Sequence, residues 1–249
     1  MITCAKAAEA AMPDQISRRY FLATTSGALA ASTLSLPATA NEVPTLLDHI
    51  LLGCNDLDTG IAFVQDSTGV RAAVGGVHPG RGTRNALLSL GERRYLEIIA
   101  PDPKQSGAPD TLGLYQLTQP RLVGWAAHPG DLDAFAKKLR EAGVAFEGPT
   151  PGSRARPDGK VLHWKTINLA DTHHGLLPFF IEWSADSAHP STDAPQGCTL
   201  DYFEVMSTNP DELTPTIQRM GIELPVARSD KSRIHALLTG PKGELGLTS

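Results

Sequence analysis

Two periodicities alternate along the chain from residue 46 onward. Leu46-Leu47-Asp48-His49-Ile50-Leu51-Leu52-Gly53-Cys54 is an apolar run of strand length. Asn55-Asp56 supplies an N-cap, and Leu57, Ile61 and Val64 then recur at helical spacing up to Gly69. Strand-like stretches follow at Val70 to Val77, Asn85 to Leu90 and Tyr95 to Ala100, with a tight turn at Gly91-Glu92. The predicted order is β-α-β-β-β. It recurs with a strand at Arg121 to Ala127 and a helix that opens at Asp131, carries Leu132, Phe135 and Leu139 on one face, and ends at Gly143. Further strands are predicted at Val144 to Phe146, Val161 to Leu169 and Pro178 to Trp183. A looser third copy begins at Thr199 to Val205, continues with a helix over Asp211 to Met220, and ends in a hairpin around Gly240-Pro241-Lys242-Gly243. Ala185 to Gly197, rich in Ser, Ala, Pro and Asp, reads as a linker. The pattern therefore predicts an α+β fold of tandem modules packed side by side: 41–120, then 121–198 with its linker, then an incomplete third module over 199–249.

Charged or titratable side chains inside apolar strands need a reason. Glu97 sits in Tyr-Leu-Glu-Ile-Ile and Glu182 in Phe-Phe-Ile-Glu-Trp, each in the final strand of its module, and His49 intrudes in the first strand. With a period of two, Glu97 shares a face with Tyr95 and Ile99, and Glu182 with Phe180 and Ser184. Modules related by a local two-fold axis would aim both carboxylates and His49 into one concavity. Two adjacent carboxylates repel unless one is protonated or a cation lies between them, and a divalent metal suits imidazole and carboxylate ligands. Two readings stay open: a metal or functional cavity, or private pairing of each glutamate with an arginine or backbone donor. His78-Pro79-Gly80-Arg81-Gly82 reads as a rigid turn, and Arg154 and Arg156 as a polar loop before Pro157-Asp158-Gly159. These arginines either orient an anionic substrate or pair with Asp158 or Asp171. Trp125, Trp164 and Trp183 read as core or cleft lining, and His173-His174 as a loop.

Several stretches carry a resemblance to a known family. They are Leu47-Asp48-His49-Ile50, the segment from Gly75 through His78-Pro79-Gly80-Arg81-Gly82 to Asn85 and Leu87, Tyr95-Leu96-Glu97-Ile98-Ile99-Ala100-Pro101, Ser153 to Gly159, and Pro178 to Trp183. Together they resemble the vicinal oxygen chelate superfamily, and more closely its glyoxalase-like domain branch. The resemblance implies one divalent metal ion held by a His and a Glu of each module. It assigns His49, Glu97 and Glu182 as metal ligands, with Glu97 and Glu182 as the catalytic carboxylates and His78, Asn85 and Arg154 as substrate-binding residues. Gly124 stands where the second His belongs, so either three ligands plus waters would hold the metal or His128, His163 or His78 would supply the fourth. The implied function is a metal-dependent enzyme acting on a small oxygen-rich substrate, with isomerase, lyase and dioxygenase chemistries all found in the superfamily. The alternative is a metal-free protein that binds or sequesters a small molecule in the same cleft.

Composition narrows the partners. The 249 residues include 22 basic and 27 acidic side chains, a formal net charge of −5, which argues against a nucleic-acid partner. Of the three cysteines, Cys4 precedes the modules, while Cys54 and Cys198 are either bridged or separate buried thiols. Residues 1–40 read as a leader: Arg18-Arg19 followed by Tyr20-Phe21-Leu22, a short apolar run, and Ala38-Thr39-Ala40 as a cleavage box. This layout resembles a twin-arginine signal, so export machinery recognising Arg18 and Arg19 is an expected partner, with a periplasmic or secreted product that meets no membrane after cleavage. Met12 offers an alternative start.

Overall fold

The computed structural model describes residues 43–105 and 107–249. Residues 1–40, where the sequence predicts a leader, lie outside them, and with them Arg18, Arg19, Met12 and Cys4. The first module runs β1 (Leu47–Gly53), α1 (Leu57–Thr68), β2 (Ala73–His78), β3 (Thr83–Ser89) and β4 (Tyr95–Pro101). Asp56 caps α1 by accepting from the Thr59 N–H at 2.9 Å, and Gly69 ends it in the left-handed conformation at φ 81°. The second module runs β5 (Arg121–Ala127), α2 (Leu132–Glu141), β6 (Phe146–Ala155), β7 (Val161–Leu169) and β8 (Phe179–Trp183). Leu132, Phe135, Ala136 and Leu139 form the buried face of α2.

These eight strands make one sheet in the order β2-β3-β4-β1-β5-β8-β7-β6. β1 and β5 pair antiparallel at its centre and join the two modules, while β4 lies parallel to β1 and β8 parallel to β5. The sheet curls until its edges meet: a Cβ on Gly76 would lie 2.5 Å from the Ala155 carbonyl oxygen. One face of the curl encloses a cleft and the other packs against the helices.

Between Leu47 and His49 the β1–β5 register slips by one residue, leaving Asp48 as the extra residue of a bulge. In a regular strand adjacent side chains point to opposite faces. The bulge lets Asp48 and His49 meet, and that contact shapes the site.

After a short helix α3 (Pro190–Asp193), the chain repeats the module order as β9 (Thr199–Ser207), α4 (Pro210–Arg219), β10 (Val226–Arg228), β11 (Arg233–Gly240) and β12 (Gly243–Thr248). This third copy forms its own sheet, β10-β9-β11-β12, in which β10 has three residues. A single core runs through all three copies, with Trp125 against Phe203 at 5.1 Å between ring centres. Cys54 and Cys198 are both buried and unbridged.

Two segments differ from the sequence pattern. The loop expected around Arg154 belongs to the ten-residue strand β6, at the edge of the sheet. Pro149, Pro151 and two glycines disguise it, and an edge strand tolerates prolines because its outer N–H groups have no partner to lose. The linker is ordered by α3, which delivers His189 to the back of the cleft. Among the described residues no helix is long and apolar enough to cross a membrane.

Candidate active site

The cleft encloses a cavity of about 320 Å³ at the concave side of the large sheet. Alternation along β4 sends Leu96, Ile98 and Ala100 into the core and Tyr95, Glu97 and Ile99 to the cavity. β1 contributes His49 and Leu51, β2 His78, β3 Asn85, and β6 Arg154. The other side is aromatic and aliphatic, with Trp164 from β7 and Phe179, Ile181 and Trp183 from β8.

His49 is 1% exposed and held on three sides. Its Nδ1 lies 2.7 Å from Asp48 Oδ1, its ring stacks on Tyr95 at 4.4 Å and 21°, and its Nε2 faces Glu97 Oε2 at 3.5 Å. A carboxylate on Nδ1 holds the proton there and leaves Nε2 for the cavity. Asp48 is itself fully enclosed, with His189 Nε2 at 3.2 Å, Trp183 Nε1 at 3.4 Å and His128 Nδ1 at 3.7 Å. Burial pushes the Asp48 carboxyl upward, but the hydrogen bonds from His189 and His49 outweigh it and hold the group far below the usual carboxylate range.

Glu97 is the centre of the polar wall. The Asn85 side-chain amide donates to Oε1 at 2.6 Å, and His78 Nε2 lies 3.6 Å from the same oxygen. Burial raises the Glu97 carboxyl, and the charges of His78 and His49, the Asn85 hydrogen bond and Arg154 more than offset this, so it lies below the ordinary carboxylate range. Burial also pulls His78 below the ordinary histidine range, against the attraction of Glu97. The Asn85 amide lies 3.3 Å from His78 Nε2, and His78 Nδ1 is 2.8 Å from Thr83 Oγ1. Thr83 thus holds the Nδ1 edge of the ring, and Nε2 faces Asn85 and Glu97.

The structure brings together His49, Glu97, His78, Asn85 and Arg154 of the sequence-derived site, and places Glu182 elsewhere. Glu182 is the fourth residue of β8, whereas Glu97 is the third of β4, and Ile181 takes the inward place. A slip of one residue reverses the face of a strand. Glu182 Oε2 instead accepts the backbone N–H of Leu132 at 2.8 Å, at the N-terminus of α2, which is the private pairing left open above. Of the other proposed ligands, His163 is exposed beside Asp186, and His128 lies behind the cleft near Asp48. Gly124 offers only backbone to the cavity. Among the described residues no group of three or more His, Cys, Asp or Glu side chains is set to hold a metal ion. The donor set implied by the resemblance therefore does not assemble: the second module supplies neither its His nor its Glu, and Glu97 is already engaged by the Asn85 amide.

Sequence reasoning missed Asp48 as the partner of His49, because only the bulge makes that contact possible. It also missed His189, which no local pattern separates from the linker around it.

A family model described as a glyoxalase-like domain matches residues 47–221. A hypothetical protein from Staphylococcus aureus shares the fold with a TM-score of 0.58 at 17% identity, over 81% of this chain and 84% of that one. Methylmalonyl-CoA epimerase from Mycobacterium tuberculosis aligns with a TM-score of 0.40 at 23% identity, over 60% of this chain and 92% of its own. A hypothetical protein from Bacillus halodurans aligns at 0.42 and 15% identity, over 57% and 96%. No curated protein matches the chain.

Proposed function

Because the chain belongs to the glyoxalase-like domain family, we propose that its cleft is that of an enzyme moving a proton on a small oxygen-bearing substrate, in chemistry of the isomerase or lyase type. One observation carries this reading: His49 is clamped at Nδ1 by a buried carboxylate while Nε2 opens on the cavity beside Glu97. His49 Nε2 accepts a proton from a substrate carbon or hydroxyl. Asp48 on one side and Glu97 on the other then stabilise the imidazolium, which returns the proton to the same or a neighbouring substrate atom. Tyr95, stacked on the ring, limits its rotation, and the apolar wall keeps bulk water from competing for the proton.

Family members commonly bind a divalent metal. The donors implied for it do not converge in this chain. The alternative function, a protein that only binds or sequesters its ligand, uses the same cavity without His49 chemistry.

Solvent-deuterium exchange into a panel of 2-oxo acids and aryl ketones, followed by proton NMR, tests the proposal. The unmodified protein is expected to exchange the carbon-bound protons of at least one member. His49→Gln is expected to lower that rate about 100-fold or more with near-ultraviolet dichroism unchanged. Exchange that survives His49→Gln sinks the assignment. Binding without exchange favours the sequestering protein.

We also propose that the leader directs export by the twin-arginine route, on the strength of Arg18-Arg19-Tyr20-Phe21-Leu22 and the Ala38-Thr39-Ala40 box. Replacing Arg18 and Arg19 together by lysine is expected to leave the full-length protein in the cytoplasm.

A further inference from the structure

Arg154 is the most conspicuous unmatched group in the described residues. It is 3% exposed on β6 and lines the cavity, and its Nη1 has no hydrogen-bond partner. No carboxylate among the described residues lies within ion-pair distance of it. Two residues on, Arg156 behaves differently, pairing outside with Asp193 and with Asp158 at 3.5 Å. Burial lowers the Arg154 pKa and Glu97 raises it, yet Glu97 is held by Asn85 and does not bond the guanidinium. Taking a charge out of water without a partner is strongly unfavourable.

The backbone of β2 comes close to this guanidinium. A Cβ on Gly75 would lie 2.8 Å from Nη1, and one on Gly76 would lie 3.2 Å from it. The nearest atom to the first is Asn85 Oδ1 at 2.4 Å and to the second the Ala155 carbonyl oxygen at 2.5 Å, so glycine at both positions lets β2 close against Asn85, the edge of β6 and the guanidinium together. On the neighbouring strand β7, Trp164 lies two residues along the register from Arg154, its ring centre 5.4 Å from that of Trp183, and Phe179 and Tyr95 line the same space.

We infer that the cleft takes a small monocarboxylate joined to a flat apolar body, an aryl-substituted acid, gripped at its carboxylate by Arg154. The inference rests on the reading of this cleft as a ligand site, and adds the class of molecule. A guanidinium fork matches a carboxylate with two parallel hydrogen bonds. One buried cation beside the Glu97 carboxylate favours a single negative charge over a doubly charged phosphate, since Arg81, the other cation on the lining, is exposed to solvent. A volume near the lower end of small-molecule clefts, walled by rings, favours a compact planar body.

Phenylacetate, phenylacetamide and acetate serve as probes of the full chain, read by calorimetry and by quenching of tryptophan fluorescence. Phenylacetate is expected to bind about tenfold or more tightly than either of the others, the amide lacking the charge and acetate lacking the ring. Arg154→Gln is expected to remove the preference for acid over amide, and Arg154→Lys to recover part of it. Equal binding of phenylacetate and phenylacetamide by the unmodified protein overturns the inference without using any variant, and so does a preference that persists in Arg154→Gln. Either result leaves the proton-transfer proposal standing. A preserved preference in a protein that exchanges no carbon-bound proton removes that proposal and keeps this one.

Discussion

The centre of the site turns on one extra residue in a strand. Asp48 and His49 are neighbours in sequence, and a regular strand would point them to opposite faces, yet the bulge opposite β5 brings Nδ1 and Oδ1 to 2.7 Å. The sequence marked His49 and Glu97 because polar groups interrupt apolar runs there. It was silent on their partners, since a bulge leaves no trace in hydropathy and His189 arrives from a segment that reads as linker. The Asp48 carboxyl lies far below its reference value of 3.8 once folded, so the unfolded chain binds the proton more readily. The stability it contributes is thus present above pH 3.8 and lost as pH falls below it. Asp48→Asn is expected to cost about 2–4 kcal/mol at neutral pH, because two histidines lose a charged acceptor in a buried setting. The gap between the urea-denaturation curves of variant and unmodified protein should narrow as pH falls below about 4. A gap that stays constant with pH would show that the Asp48 charge is not what holds the cluster.

Elements decided where pattern reading succeeded and where it failed. Strands with clean alternation or continuous apolar runs, such as β5 over Arg121–Ala127 and β7 over Val161–Leu169, fall where the pattern predicts them. β6 does not, because its prolines and glycines are breakers everywhere except at the edge it occupies. β8 falls where the pattern predicts it but with the opposite phase: Phe179, Ile181 and Trp183 face the cavity, so Glu182 takes the outer face although its motif resembles that of Glu97. The consequence is a different job for Glu182. Asp131 accepts from the N–H groups of Asp133 and Ala134, and Glu182 accepts from that of Leu132, so the three first amides of α2 are all satisfied. Glu182→Gln is therefore expected to lower stability by about 0.5–1 kcal/mol and to leave ligand affinity and proton exchange within a factor of two. Glu97→Gln removes a carboxylate from the cavity and is expected to abolish exchange. Comparable losses of exchange in both variants would return Glu182 to the site.

At the scale of the whole molecule, three copies of one element order share a single core rather than standing as separate bodies. The first two copies meet through β1 and β5, whose backbones pair, and the third meets them through side chains, with Phe203 against Trp125. Trp125 in turn donates from its indole N–H to the Leu176 carbonyl oxygen at 2.9 Å, and Leu177 beside it lines the cavity. The third copy contributes no residue to the cavity lining, yet it closes the far side of the core on which the cleft is built. Removing a fully buried aromatic ring leaves a void that close-packed neighbours fill only in part. Phe203→Ala is thus expected to cost about 3–5 kcal/mol and to lower the urea midpoint for the entire described region. Near-ultraviolet dichroism, dominated by the cleft tryptophans, should fall together with the far-ultraviolet signal in one transition, because a continuous core unfolds as a unit. If the variant instead loses secondary structure in two steps, with the cleft signal surviving the first, the third copy is an independent body. The cleft would then owe its shape to the paired modules alone.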